Sequence, residues 1–194
     1  MVRVGAGSLR GRVLATPADE RVRPTTGRMR EALFSMLGER LAGAWVLDLY
    51  AGSGILGIES ISRGARGAWF VEADPGVAAA IRGNLSACGV EARTGLVESL
   101  VLQSGLAGLL RGRAEARFGL FSPFDLILMD PPYRRGLVPP TMEMLAASAL
   151  LAPGALAVAE HEPGAVAKGV APDWRPMHNR RHGETQVSFW QWRG

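Results

Sequence analysis

The hydrophobic positions of the chain follow two alternating patterns. Segments with helical spacing lie at 55–63 (ILGIESISR) and 74–89. Short continuous apolar runs flank them, and such runs are typical of strands buried in a parallel sheet. These runs occur at 45–50 (WVLDLY), 68–72 (AWFVE), 124–129 (FDLILM) and 155–162 (ALAVAEHE). Strands that alternate with helices predict a doubly wound α/β fold with a mostly parallel sheet.

The weaker patterns complete this arrangement. Two aromatic-rich runs, 173–181 and 184–192, are joined at His182 and Gly183 and predict a closing antiparallel hairpin. The other expected elements are a weak strand at 91–96, a helix at 98–111, a linking segment at 112–123 and a helix at 139–151.

The N-terminal segment differs from the sheet region. Residues 1–22 predict a short hairpin or an irregular arm, and Pro24 to Thr26 are expected to open a helix that ends at Gly38 or Gly43. We therefore divide the chain into an arm and helix at 1–43 and a sheet domain at 44–194.

The positive charge of the chain is concentrated in the arm. The net charge is +4, yet residues 1–30 alone carry seven arginines against Asp19 and Glu20. Arginine forks match phosphate oxygens, so this clustering favours a nucleic-acid contact surface. A genome that prefers arginine to lysine would explain the scarcity of lysine, but it would not explain why the arginines cluster.

The composition excludes several classes of protein. The 194 residues, 47% of them hydrophobic, fit one globular domain, and the lone Cys88 excludes a disulfide framework or a cysteine-rich zinc site. The N-terminus has no apolar run of signal-peptide length, and no stretch is long enough to cross a membrane. His178 and His182 are expected at the surface, not on a metal. We expect a cytoplasmic monomer without a metal.

A glycine-rich turn follows the first strong strand. Gly52, Gly54 and Gly57 match the G-x-G-x-x-G spacing between a strand and a helix, and Glu72 ends the next strand, where it can bind two ribose hydroxyls. The turn alone fits either a nicotinamide cofactor or S-adenosylmethionine. Asp48 favours the second, because its carboxylate would repel a pyrophosphate and attract an ammonium and a sulfonium.

The second motif is Asp130-Pro131-Pro132-Tyr133, which directly follows the strand at 124–129. The Asp130 carboxylate and the Pro131 carbonyl can each accept an N–H of an exocyclic base amine, which turns its lone pair toward a methyl donor. Tyr133 can stack on a flipped base. Arg134 and Arg135 flank this loop and are expected to contact RNA.

Several stretches together resemble the bacterial 16S rRNA guanine-N2 methyltransferases of the RsmD type. The resemblance runs over nearly the whole chain and rests on RGRVL, RPTTGRMREALFSML, LDLYAGSGILGIESISRGA, FVEAD and FDLILMDPPYRRGL. It implies a class I S-adenosylmethionine-dependent methyltransferase fold, Rossmann-like, with a seven-stranded sheet. It also implies that the target is the guanine at 16S position 966 in the family's convention, on small-subunit particles.

The resemblance also implies roles for individual residues. The methionine half of the cofactor would lie against Asp48, Tyr50, Ala51, Gly52, Ser53 and Gly54. Glu72 and Ala73 would hold the ribose. Glu98 and Ser99 stand where family members carry the group that binds the adenine amine. The phosphate contacts would be Arg10, Arg12, Arg23, Arg28 and Arg30.

Three other functions remain open at this point. DPPY also occurs in adenine-N6 methyltransferases that act on DNA or RNA. An RNA-binding ribosome-assembly factor with a vestigial cofactor site would keep the basic arm. A nicotinamide dehydrogenase is disfavoured by Asp48 and by DPPY.

Overall fold

The computed structural model describes residues 1–16, 27–119, 121–166 and 170–194. Its central feature is one sheet of seven strands, β3 (Trp45–Leu49), β4 (Gly67–Glu72), β5 (Thr94–Glu98), β6 (Phe124–Met129), β7 (Leu151–His161), β8 (Trp174–His182) and β9 (Thr185–Trp192). Their order in the sheet is β5-β4-β3-β6-β7-β9-β8. The first five in sheet order are parallel, and β9 pairs antiparallel with both β7 and β8. The predicted fold class and the closing hairpin are confirmed.

Helices cover both faces of the sheet, because its central strands, such as β3 and β6, carry apolar side chains on both sides. They are α1 (Gly27–Leu37), α2 (Ile55–Ser62), α3 (Pro75–Cys88), α4 (Leu106–Phe118) and α5 (Val138–Ala146). One hydrophobic cluster includes Val46 and Phe70, and the other includes Leu47 and Val71. Neighbouring residues of one strand thus face opposite layers, as the alternation of a strand requires.

The N-terminal arm forms a small hairpin that packs on the sheet domain. It pairs β1 (Val2–Arg3) with β2 (Val13–Leu14). Val4 and Leu14 are buried in the same cluster as Val46. The Ser62 hydroxyl at the end of α2 accepts the N–H of Leu9 at 2.9 Å. The division at residue 43 remains a prediction, and the expected helix start at Pro24 to Thr26 lies outside the described residues.

Two predicted helices are displaced from their observed positions. The helix expected at 98–111 is α4, which begins only at Leu106. Val101, whose apolar side chain suggested an earlier start, is buried but lies in a turn. Leu106, Leu110 and Ala114 then recur every four residues on the buried side of α4. The helix expected at 139–151 is α5, which ends at Ala146, and Leu151 already begins β7.

Candidate active site

The carboxyl ends of three neighbouring strands bring the sequence motifs together. The glycine turn follows β3, Glu72 ends β4 and Asp130 follows β6. Strand β3 lies between β4 and β6, and the Asp130 N–H donates to the Leu49 carbonyl across 3.4 Å. The chain moves from β3 toward β5 and then returns to the other side of β3. In open α/β sheets, ligands bind at such a reversal.

The glycine turn has a backbone that requires its glycines. Gly52 and Gly54 have φ of 55° and 75°, in the left-handed region. Gly57 is required for a different reason: a Cβ there would lie 2.3 Å from the Phe70 ring and 3.1 Å from Asp48 Oδ2. Helix α2 therefore packs close to the sheet and begins at the turn.

Tyr50 precedes the turn in a strained conformation. Its φ is 60°, which is uncommon for a residue with a large side chain. The Tyr50 hydroxyl lies 2.7 Å from Thr141 Oγ1 on α5, and burial raises the pKa of the phenol. This hydrogen bond ties the end of β3 to the helix that follows the DPPY loop.

Asp48 lies beneath the turn. It is 1% exposed, and its Oδ2 accepts the N–H of Gly57 at 2.9 Å. Burial raises the pKa of this carboxyl well above its ordinary value; the Gly57 hydrogen bond opposes the shift, and the neighbouring Asp130 and Glu72 add to it. Asp48 thus binds the backbone at the start of α2, and its part in cofactor binding remains a prediction.

Glu72 connects the turn to the end of β4. Its Oε2 accepts the N–H of Gly52 at 3.0 Å, and its Oε1 accepts those of Ala73 and Asp74 at 2.8 and 3.0 Å. An ionised carboxylate has about four acceptor positions, so one remains after these three bonds. A ribose hydroxyl at this position remains a prediction.

Glu98 and Ser99 have local partners. Glu98 forms an ion pair with Arg82 of α3. The Ser99 hydroxyl is 3.0 Å from Gln103 Oε1, and the backbone N–H of Ser99 donates to the Glu72 carbonyl at 2.9 Å. The pair therefore lies beside Glu72 at the strand ends, where an adenine contact stays a prediction.

The DPPY loop is fixed through its tyrosine. The Tyr133 hydroxyl donates to Glu160 Oε1 and lies 2.9 Å from Thr185 Oγ1. Burial is the main cause that raises the pKa of this phenol, and Glu160 adds to it. The phenol therefore stays neutral and its ring is held in place, although stacking on a base remains a prediction. Asp130 is half-buried, Pro131 buried and Pro132 exposed.

The structure corrects the prediction for Arg30. This arginine is 5% exposed, its Nε donates to Glu59 Oε2 at 2.8 Å and its Nη2 donates to the Arg3 carbonyl at 2.7 Å. Glu59 is fully buried and also pairs with Arg63. Arg30 therefore fixes the arm to α1 and α2 and does not offer its charge to a phosphate.

The other predicted phosphate contacts are exposed where they are described. Arg134 has φ of 61°, and its N–H donates to Glu162 Oε1 at 3.1 Å. Arg23 lies outside the described residues. The exposed side chains are those of Arg10, Arg12, Arg28, Arg134 and Arg135. Their contact with RNA remains a prediction.

Sequence reasoning missed Asn84 and Glu160. Asn84 is 4% exposed and bonds both to the arm and to the glycine turn, and Glu160 is buried against Tyr133. Each carries a detectable signal, because a polar residue interrupts an otherwise apolar helix face or strand. The partners of these residues lie far away in sequence and could not be read from that signal.

A cavity of about 390 Å³ lies at the opposite edge of the sheet. It is lined by Trp45 of β3 and Trp69 of β4, by Arg66 and Arg93 just before β4 and β5, and by Phe118 at the end of α4. Neither motif reaches it, so we do not place the chemistry there. Within the described ranges, no group of three or more His, Cys, Asp or Glu could hold a metal, and none of the helices could cross a membrane.

Comparisons with known proteins agree with this geometry. The model of the family named Conserved hypothetical protein 95 matches residues 2–191. Ribosomal RNA small subunit methyltransferase D of Escherichia coli K12 is 33% identical over 98% of this chain and 89% of its own length. The protein of the same name from Haemophilus influenzae is 34% identical over 83% of this chain and 79% of its own length.

Two solved structures extend the comparison. Escherichia coli yhhF has a TM-score of 0.82 and 31% identity, and the match covers all of this chain and 98% of that one. An RNA methyltransferase from Salinibacter ruber, solved with S-adenosyl-L-homocysteine, has a TM-score of 0.63 at 15% identity over 88% of this chain and 94% of that one. This second likeness shows the fold alone.

Proposed function

The chain belongs to the Conserved hypothetical protein 95 family, the RsmD family of ribosomal RNA methyltransferases, and we propose that it methylates the exocyclic N2 of a guanine in 16S rRNA. The coarser activity, S-adenosylmethionine-dependent methylation of ribosomal RNA, follows from family membership. The guanine N2 target, its position 966 in the family's convention and the preference for small-subunit particles are our proposals.

One observation carries the proposal. The glycine turn after β3 and the DPPY loop after β6 begin at neighbouring strand ends, since Leu49 pairs with Met129 in the sheet and the Asp130 N–H reaches the Leu49 carbonyl. A cofactor on the turn and a base amine on the loop would therefore meet at one point.

The residues present fit S-adenosylmethionine. Three acids, Asp48, Glu72 and Asp130, lie close enough for their charges to interact, which suits a cationic ligand better than a pyrophosphate. A Cβ at Gly57 would meet Phe70 and Asp48, so this glycine lets the start of α2 approach the end of β3. When bound, this cofactor supplies an electrophilic methyl group. We propose that its contacts are Asp48, Tyr50, Ala51, Gly52, Ser53, Gly54, Glu72, Ala73, Glu98 and Ser99.

We propose that the DPPY loop positions the amine. The Asp130 carboxylate and the Pro131 carbonyl would each accept one N–H of the guanine amine and direct its lone pair toward the methyl group. Pro131 and Pro132 limit the backbone torsions, so both acceptors keep one orientation. The amine loses one proton as it gains the methyl group, and Asp130 is placed to take it. Tyr133 would stack on the base.

We propose that residues 1–43 form an RNA-contacting extension of a catalytic domain at 44–194. The proposed phosphate contacts are now Arg10, Arg12, Arg23, Arg28, Arg134 and Arg135, without Arg30. We further propose a monomer that acts in the cytoplasm, where small ribosomal subunits are assembled, by a direct transfer that requires no metal.

The variant Asp130→Ala tests the mechanism. We expect methyl transfer to small-subunit particles to be abolished, while calorimetry gives a near-normal affinity for S-adenosylhomocysteine, which has no sulfonium for Asp130 to attract. Near-normal turnover of this variant would refute the role of Asp130.

Ribosomal RNA from a strain without the gene should lack one N2-methylguanosine, which returns with the gene. Loss of N6-methyladenosine instead would favour the adenine enzyme, and failure to bind S-adenosylmethionine would favour an assembly factor.

A further inference from the structure

A second cavity, of about 490 Å³, opens at the catalytic edge of the sheet. It lies between the DPPY loop and the turn that joins β8 to β9, and its walls include Tyr133, Arg134, Glu162, Arg181 and Thr185. Its volume falls in the range of roughly 300–1,000 Å³ that is typical of small-ligand sites.

The topology of the hairpin places its turn beside the catalytic loop. Strand β9 is antiparallel to β7 and to β8, so β8 runs in the same direction as β7 and ends at the catalytic edge. The hydrogen bond between Tyr133 and Thr185 fixes the start of β9 against the loop. The cavity is therefore bounded by a part of the chain that belongs to neither motif.

The polar lining of this cavity carries both signs of charge. Arg181 is exposed, and its Nε donates to the Gly183 carbonyl at 3.0 Å, which orients the guanidinium and leaves its Nη groups without a hydrogen bond or ion pair to the described residues. Arg134 contributes a second guanidinium. Glu162 already accepts the Arg134 N–H, and Glu184 also lines the wall.

This mixture fits one nucleotide better than a bare phosphate. Guanidinium forks bind a phosphate in a bidentate manner, whereas a carboxylate and a hydroxyl accept hydrogen bonds from base or ribose donors. An enzyme that flips a base out of its stack also has to hold the backbone beside it.

We propose that this cavity binds the nucleotide next to the methylated guanine, with Arg181 and Arg134 on its phosphate and with Glu162 and Thr185 on its base or ribose. The proposal rests on the proposed function, because it concerns the same RNA. It gives the closing hairpin a role in substrate binding, in addition to the roles proposed for the basic arm and the two motifs.

The test compares Arg181→Ala with Arg175→Ala. Both arginines are exposed on β8, and both variants remove one positive charge. Arg175 lies six residues earlier, roughly 20 Å away at about 3.3 Å per residue, and is held by Gln191 at the opposite edge. Methylation of small-subunit particles is measured at several salt concentrations, together with calorimetry of S-adenosylhomocysteine.

We expect Arg181→Ala to raise the KM for particles roughly tenfold or more, the effect of losing a charged hydrogen bond. The slope of log KM against log salt concentration should fall by about one. The cofactor affinity and the melting temperature should stay those of the wild type. Arg175→Ala should stay within about twofold of the wild-type KM.

The outcomes separate the two proposals. Equal effects of the two variants in an active enzyme would overturn the cavity assignment and leave the proposed function intact. A wild-type protein that transfers no methyl group to ribosomal RNA would instead overturn the proposed function.

Discussion

The side-chain amide of Asn84 binds the backbone of Ser53 in the glycine turn and the backbone of Ala15 in the arm. Its Nδ2 lies 2.9 Å from the Ser53 carbonyl and 2.9 Å from the Ala15 carbonyl, and its Oδ1 accepts the Ala15 N–H at 2.8 Å. The arm and the turn are thus joined by a single buried residue of α3.

Replacement of Asn84 should affect both regions. We expect Asn84→Ala to lower the free energy of unfolding by about 1–3 kcal/mol, because it leaves buried backbone groups of Ala15 without partners. It should also weaken binding of S-adenosylhomocysteine roughly fivefold, the equivalent of one hydrogen bond of about 1 kcal/mol. Calorimetry and denaturant unfolding measure the two effects.

Ser62→Ala is the matched control. This change releases the Leu9 N–H and the Ala6 carbonyl of the arm without touching the turn. It should lower stability and leave the affinity for S-adenosylhomocysteine unchanged. If both variants weaken cofactor binding equally, the loss reflects the arm in general and not the bond to Ser53.

The buried ion pair between Arg30 and Glu59 predicts that two arginines of α1 contribute differently to stability. Arg30→Ala should destabilise the protein by about 3–5 kcal/mol, because it leaves part of the buried Glu59 carboxylate uncompensated. Arg28→Ala, at an exposed position of α1, should leave the melting temperature nearly unchanged. Thermal melts of the two variants decide, and a small shift for Arg30→Ala would contradict the structural role.

The buried Asp48 predicts how stability depends on pH. Its pKa is raised in the folded state, so the folded protein binds a proton that the unfolded chain releases at lower pH. The stability of the wild type should therefore fall as pH rises from the ordinary aspartate value of 3.8 to the raised value. Asp48→Asn should flatten this part of the profile, yet bind S-adenosylmethionine more weakly for lack of the negative charge. An unchanged profile in urea unfolding would show that Asp48 ionises normally.

The arm predicts a salt-dependent effect on RNA binding. A variant in which Arg10, Arg12 and Arg23 are replaced by glutamine should bind a 16S fragment more weakly, with a shallower dependence on salt, because fewer counterions are released. Its affinity for S-adenosylmethionine should equal that of the wild type. Filter binding over a range of salt concentrations measures the slope, and an unchanged slope would remove the arm from the RNA surface.

Sequence reasoning succeeded where a feature depends on neighbouring residues. The strand ends at Asp48, Glu72 and Asp130 were predictable because an apolar run followed by a turn is a local signal. The start of α4 could not be predicted in this way. Val101 and Leu106 are both apolar and buried, but only Leu106 lies in the helix.

The failures at the site concern partners that are distant in the chain. Arg30 looked like part of a basic surface because Glu59, 29 residues later, is the residue that neutralises it. The hydroxyl partners that fix Tyr133 were also missed, because Glu160 and Thr185 are 27 and 52 residues away. Only the folded chain brings such pairs together.

The position of β9 between β7 and β8 has a consequence for how the protein is made. During synthesis, β8 leaves the ribosome before the strand that connects it to the rest of the sheet, so the sheet cannot close until β9 has emerged. Thr185 reaches Tyr133 only then. A nascent chain would therefore hold an incompletely anchored DPPY loop while it is still attached to a ribosome, the particle whose RNA it is proposed to modify.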